Sequence, residues 1–300
     1  MESDHGHSHQ HGLHLTSLNK AFIIGISLNV AFVLIEFLVG FYYNSLGLIS
    51  DAGHNLSDVA GLVLAMLAFR LGKIRPNDKY TYGYKKSTIL VSLLNAVILL
   101  IAVGVIVGES IEKLANPVAV EGAAVAWTAG VGVLINAATA WMFMKDKDKD
   151  LNVKGAYLHM AADALVSVGV VVSGVGIMYT GLNIIDPIVG LVIAAVIVVS
   201  TWSLLRDSFR LSLDGVPAGL HTKEVEQTIL AQPGVAGCHH LHIWALSTTE
   251  TALTVHIVLD EMGDLETVKQ RVKEELSHLD ISHVTLEMES KGADCEYKRC

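Results

Sequence analysis

The sequence predicts a multi-pass α-helical membrane protein with six transmembrane helices, followed by a C-terminal cytoplasmic α+β domain. Three observations carry that prediction. Of the 300 residues, 52% are hydrophobic and only 17% charged, against about 25% charged in soluble chains. Up to about residue 205 the apolar residues fall in blocks of roughly 20, the length that crosses a bilayer core. Beyond that point the composition turns ordinary and acidic: residues 214–300 hold 7 Lys+Arg against 15 Asp+Glu, whereas residues 1–213 hold 14 against 15. The net charge of −9 therefore belongs to the C-terminal part, which argues against a nucleic-acid partner there.

Four domains are expected: a His-rich disordered cytoplasmic tail over 1–18, a six-helix transmembrane domain over 19–210, a cytoplasmic domain over 211–290 and a Cys-containing tail over 291–300. The first 14 residues mix His5, His7, His9, His11 and His14 with Gly and Ser, a low-complexity pattern suited to a loose metal-collecting arm or a solvated tail. The first span, 21–43, carries Glu36, which at membrane depth is expected to face the bundle and pair with a polar neighbour. Spans over 46–71, 87–108, 122–144, 153–179 and from Asp186-Pro187 to about Leu205 follow. All five prolines fall in connections or at a first helical turn, which supports these boundaries. The loop from Arg70 to Lys86 holds six Lys+Arg and the loop from Lys145 to Lys154 holds four, while the connections on the other side contain only Lys113. Positive loops face the cytoplasm, so both termini are expected there, in an integral protein of the plasma (inner) membrane.

Residues 214–300 read as αββαβ: a helix from Thr222 to Ala231, strands at His239–Leu246 and Leu253–Leu259, a helix at Leu265–Leu279, and a strand at Val284–Met288. In the first strand Leu241, Ile243 and Ala245 share a face. Cys238, Cys295 and Cys300 do not make a disulfide framework and suit a reducing compartment.

Chemistry concentrates in two of the spans. His54 and Asp58 in the second are four apart and share one helix face, with Asp51 on the same stripe. The same His-x-x-x-Asp spacing returns in the fifth span as His159 and Asp163. The two spans run antiparallel, so a modest tilt or offset brings the pairs level near the midplane. Two imidazoles and two carboxylates make a complete tetrahedral shell for Zn²⁺, with Cd²⁺ and Co²⁺ also plausible. Imidazole titrates near neutral pH, so protons and metal compete for the same nitrogens. An enzyme is not expected, since there is no His-Glu-x-x-His and no P-loop. A membrane-bound metal sensor or store, binding without turnover, is the competing function.

These motifs, together with Tyr82-Gly83-Tyr84, Asp186-Pro187, Asp214-Gly215-Val216-Pro217 and Leu241-His242-Ile243-Trp244, resemble the cation diffusion facilitator family of zinc transporters along nearly the whole chain. The resemblance implies a homodimer in the lipid bilayer, a ferredoxin-like cytoplasmic domain, and export of Zn²⁺ in exchange for protons by alternating access, or an exchanger with broader Cd²⁺/Co²⁺ specificity. It carries the transport site to His54, Asp58, His159 and Asp163. It also implies Zn²⁺ in the cytoplasmic domain, matching best at His239 and His256 with Glu289, with Cys295 and Cys300 resembling an additional cysteine pair. His240, His242 and His283 stand as alternatives. A charge interlock between the start of span three and the end of span six matches Lys86 and Asp214.

Overall fold

In a computed structural model of the chain, residues 8–42, 46–116, 122–182 and 184–292 are described. Within them, side chains are described except at 8–19, 40, 46–51, 53, 54, 57, 122–129, 170, 174, 178 and 262. Six long helices come first: α1 (Ser8–Tyr42), α2 (Leu46–Leu71), α3 (Ser87–Ala115), α4 (Gly122–Met144), α5 (Leu151–Thr180) and α6 (Ile185–Ser212). Among the described residues, four stretches are long and apolar enough to cross a bilayer: Lys20–Val39, Ser87–Ala115, Leu151–Ile177 and Ile185–Ser212. A shorter apolar stretch covers Gly130–Met144.

The boundaries have local causes. Asp150 caps α5, its Oδ1 accepting from the backbone N–H of Asn152 (2.6 Å) and Val153 (3.2 Å), which satisfies donors that the first helical turn leaves unpaired. Gly181 ends α5 in the left-handed region at φ 70°, its N–H returning to Ile177 O. α6 runs on to Ser212, past the expected Leu205, and two further helices outrun their limits. α1 begins at Ser8, inside the stretch expected to be disordered, and α3 runs on to Ala115 through Glu109, Glu112 and Lys113. Neither extension contains proline, and adding a turn to an existing helix costs far less than nucleating one.

The chain forms two units, one of residues up to Arg70 with Val91–Leu205, the other of Leu71–Leu90 with Arg206 onward. In the first, α5 is central. On one side Val153, Ala156 and Met160 pack with Phe22 of α1, Leu62 and Ala65 of α2, and Ala140 and Phe143 of α4. On the other, Ala162 packs with Leu99 and Val103 of α3 and Ile193, Ala194 and Ile197 of α6. Many large apolar side chains of these helices are exposed, among them Leu38, Phe41, Leu134, Trp141 and Val199. Polar residues are buried among the apolar ones, including Asn29, Glu36, Asp58, Asn95, Asn136 and His159, an arrangement suited to lipid on the outside.

In the second unit, α7 (Thr222–Leu230), β1 (Val235–Ala245), β2 (Thr251–Leu259), α8 (Leu265–His278) and β3 (Ile281–Ser290) follow the expected αββαβ order. β1 pairs antiparallel with β2, and β2 pairs parallel with β3 across the α8 crossover. The element order is that of a ferredoxin-like domain without its first strand, with β2 and β3 paired directly. Alternation decides the faces. Leu253, Val255, Ile257 and Leu259 of β2 point into a core with Val225, Ile229, Val268, Val272 and Leu276, while Thr254, His256 and Val258 take the opposite face. The 71–90 segment belongs to this unit: Lys85 pairs with Glu250, and Lys86 with Asp214 as the family resemblance implied. Thr88 Oγ1 accepts from the Thr248 N–H at 3.1 Å, and Tyr82 meets the His283 ring edge-on at 5.3 Å.

Candidate metal site between two helices

α2 and α5 carry the two His-x-x-x-Asp pairs. The structure brings Asp58 of α2 together with His159 and Asp163 of α5, one ligand atom from each lying within 4.8 Å of the others. His159 Nε2 is 2.8 Å from Asp58 Oδ1 and 3.9 Å from Asp163 Oδ2. Asp58 is 3% exposed and His159 8%. The His159 ring also lies over Gly61, one turn beyond Asp58: a Cβ there would meet ring atoms at 3.8–3.9 Å. The side chain of His54 lies outside the described residues, as does that of Asp51, and the backbone of both is helical.

The second oxygen of Asp58, Oδ2, is buried and has no hydrogen-bond partner among the described residues. A buried carboxylate oxygen without a partner is costly, and at membrane depth a bare charge costs ~2.5–3.5 kcal/mol on insertion scales. A divalent cation held between these carboxylates would remove that cost, and one imidazole with two carboxylates is a donor set that zinc accepts.

A second cluster lies on the open face of the C-terminal sheet. His239 stands opposite His256 in the β1–β2 register, and His256 opposite Glu287 in the β2–β3 register. His256 Nδ1 is 2.6 Å from Glu289 Oε1, and its Nε2 is 3.2 Å from Glu287 Oε2. His239 Nε2 is 3.4 Å from Glu289 Oε2. His240 joins because the β1–β2 ladder shifts register between His239 and His242, with His240 at φ 50°. A bulge lets consecutive residues share a face, and ligand atoms of His239, His240 and His256 fall within 4.8 Å of one another. Desolvation, then the neighbouring imidazoles of His256, His239 and His242, hold the His240 pKa below its ordinary value, favouring the neutral ring that binds metal. Cys238 on the same strand is no thiolate: burial, then the Glu226 carboxylate, push its pKa up to about 11.

Of the residues proposed from sequence for this domain, His239, His256 and Glu289 converge. His240, named there only as an alternative, converges too. Glu287 was overlooked, although its i, i+2 spacing to Glu289 on a strand already placed both on one face. Among the described residues His242 and His283 join no such cluster. Cys295 and Cys300 lie outside the described residues.

The family model described as "Cation efflux transmembrane domain" matches residues 22–211, well over half of the chain. The chain belongs to the cation efflux family. A second model, "Cation efflux protein, cytoplasmic domain", matches residues 217–291. Three relatives are similar over nearly their whole length. The "Cadmium, cobalt and zinc/H(+)-K(+) antiporter" of Bacillus subtilis is 32% identical, with 96% of this chain and 93% of that protein covered. The "Metal cation efflux system protein CzcD" of Cupriavidus metallidurans is 37% identical, covering 97% and 91%. The "Zinc transporter ZitB" of Escherichia coli is 33% identical, covering 96% and 95%. This member of the family is thus an integral membrane protein of metal cation efflux, and the zinc-binding chemistry of its buried residues agrees with that class.

Proposed function

We propose that the protein exports Zn²⁺ from the cytoplasm in exchange for protons, by alternating access to an intramembrane site formed by His54, Asp58, His159 and Asp163. The observation that carries this reading is the convergence of Asp58, His159 and Asp163 from two helices at a buried position, with His54 one turn from Asp58 on α2. Two carboxylates balance the charge of the cation and two neutral imidazoles complete a tetrahedral shell. When the ion leaves, protons can take its place, because metal and protons compete for the same donor atoms. Cytoplasmic pH favours metal on deprotonated ligands, and a more acidic far side favours reprotonation and release.

The reading includes both termini in the cytoplasm, from the positive loops, and a plasma (inner) membrane location. It includes a homodimer, supported by a C-terminal domain whose family name refers to dimerisation. It also includes a resident Zn²⁺ on the open sheet face, held by His239, His240, His256, Glu287 and Glu289, with Cys295 and Cys300 available to it. No catalytic role belongs to the proposal, because four protein ligands leave a zinc ion no open position for substrate. The printed name of the Bacillus subtilis relative favours one variant of this reading, in which Cd²⁺ and Co²⁺ are also carried and K⁺ accompanies the protons.

The test is zinc uptake into proteoliposomes under an imposed pH gradient, with and without K⁺. Gradient-driven accumulation in wild type, abolished by Asp58→Ala, Asp163→Ala or His54→Ala in correctly folded protein, is expected. Zinc binding without gradient-driven accumulation would instead make the protein a sensor or store.

A further inference from the structure

We propose that α1 is the positioning helix of the metal site, and that Asn29 and Glu36 set the rotation of the two ligand-bearing helices by each holding the residue that follows a motif histidine. The inference rests on the transport reading and adds two residues to it, neither of them a ligand.

Asn29 and Glu36 are seven residues apart, two turns along one face of α1 and roughly 10 Å apart in rise. Both are buried, at 2% and 1% exposure. Glu36 Oε2 accepts from Asn55 Nδ2 at 2.6 Å, and Asn55 immediately follows His54 on α2. Asn29 Nδ2 donates to Gly25 O at 2.9 Å, and also faces Thr139 Oγ1 of α4 at 3.4 Å and Met160 Sδ of α5 at 3.8 Å. Met160, fully buried, immediately follows His159. One face of one helix thus reaches the same position, one residue past the histidine, on each of the two motif helices. Between these two polar contacts the seam is apolar: Val33 packs with Ala52 and Val59 of α2, and the Phe32 ring lies within 3.5–3.6 Å of a Cβ built on Gly132 of α4.

Directional contacts matter here because apolar packing alone fixes helix rotation poorly in lipid, where the tails compete as equally good neighbours. A rotation of about 20° displaces a ligating atom ~6 Å from the helix axis by about 2 Å. Metal–ligand distances tolerate only about ±0.2 Å. The rotation of α2 and α5 must therefore be held far more tightly than van der Waals contact requires. A short hydrogen bond to Asn55 and a weaker N–H···S contact to Met160, each one residue from a histidine, hold the turn that carries the ligand without occupying the shell themselves.

The experiment uses the full-length chain with His256→Ala and Glu289→Ala, which removes the cytoplasmic cluster. It measures the Zn²⁺ Kd by calorimetry, and KM and kcat for Zn²⁺ uptake in proteoliposomes. Glu36→Leu and Asn29→Leu are each expected to raise Kd and KM about tenfold with kcat changed less than twofold. Glu36→Gln, which keeps a carbonyl oxygen for Asn55, should stay within threefold of the parent. Should Glu36→Leu fail to fold, Asn55→Ala removes the same hydrogen bond from the other side and should reproduce the tenfold change. Leucine variants with unchanged Kd and KM would overturn the proposal. So would a fall in kcat alone, which marks loss of active protein, or a Glu36→Gln variant as impaired as Glu36→Leu, which would assign the effect to charge. The transport reading fails separately, through undiminished uptake in Asp58→Ala or absence of uptake in the wild-type chain, and the Kd comparison still decides the role of α1.

Discussion

The helix bundle and the C-terminal sheet each gather histidines and carboxylates, but they do so inside out from one another. In the bundle, Asp58 and His159 are enclosed, many apolar side chains face outward, and an oxygen of Asp58 lacks a partner among the described residues. In the C-terminal domain the apolar residues form the core, and the ligand candidates stand on the open sheet face, where His256 lies between Glu287 and Glu289. The first arrangement is costly when empty, in keeping with the exchange proposed above. The second is partly exposed and already held by ion pairs of His256 with Glu287 and Glu289, which suits retention of a metal more than its passage. The same residue types thus acquire different roles from the solvent on the far side of the element that carries them.

The sharpest break of this comparison is a ligand change in each region. Asp58→Ala should lower zinc flux by at least 100-fold in proteoliposomes. His256→Ala should remove one bound zinc per chain, counted by elemental analysis, while leaving flux measurable. Equal loss of flux in both variants would erase the distinction. Next in size is the core: Ile257→Ala, at a fully buried position, should destabilise the C-terminal domain by about 2–5 kcal/mol. Val199→Ala on the exposed face of α6 should change stability by no more than ~0.5 kcal/mol. Thermal unfolding followed by domain-specific probes separates them, and similar shifts would contradict the inside-out reading. The effect of the ion pairs of the 71–90 segment is also small. Lys85 and Glu250 are partly exposed, so Lys85→Ala should cost only ~0–1 kcal/mol, falling further at high salt. A loss of several kcal/mol in the same unfolding measurement would show that Lys85–Glu250 is more than a surface pair.

Much of this architecture could be read from the chain itself. Block lengths near 20 and the positions of Pro76, Pro117 and Pro187 marked the helices, and alternation in Leu241, Ile243 and Ala245 marked a strand and its buried face. The His-x-x-x-Asp repeat named three of the residues that meet at the bundle site, because helical spacing alone puts i and i+4 on one face. Strand chemistry was harder. His239 and His240 are neighbours, and a regular strand would send them to opposite faces. They share one because a bulge interrupts pairing with β2, and bulges depend on the partner strand. The helical start of α1 at Ser8 was also missed, since low-complexity composition speaks for a solvated chain whatever helix lies beside it.

The sequence by itself determined the order and type of the elements, the uneven spread of Lys and Arg among the connections, and which residues have the chemistry to bind a metal. These are local properties, governed by periodicity, composition and donor type along a single segment. Only the tertiary structure decided that Asp58 reaches across to His159, that Asn29 and Glu36 reach the residues beside the two histidines, and that His240 and Glu287 join the sheet cluster. Those outcomes depend on helix offset, helix rotation and strand register, which arise from packing between segments distant in sequence and leave no signature in either segment alone.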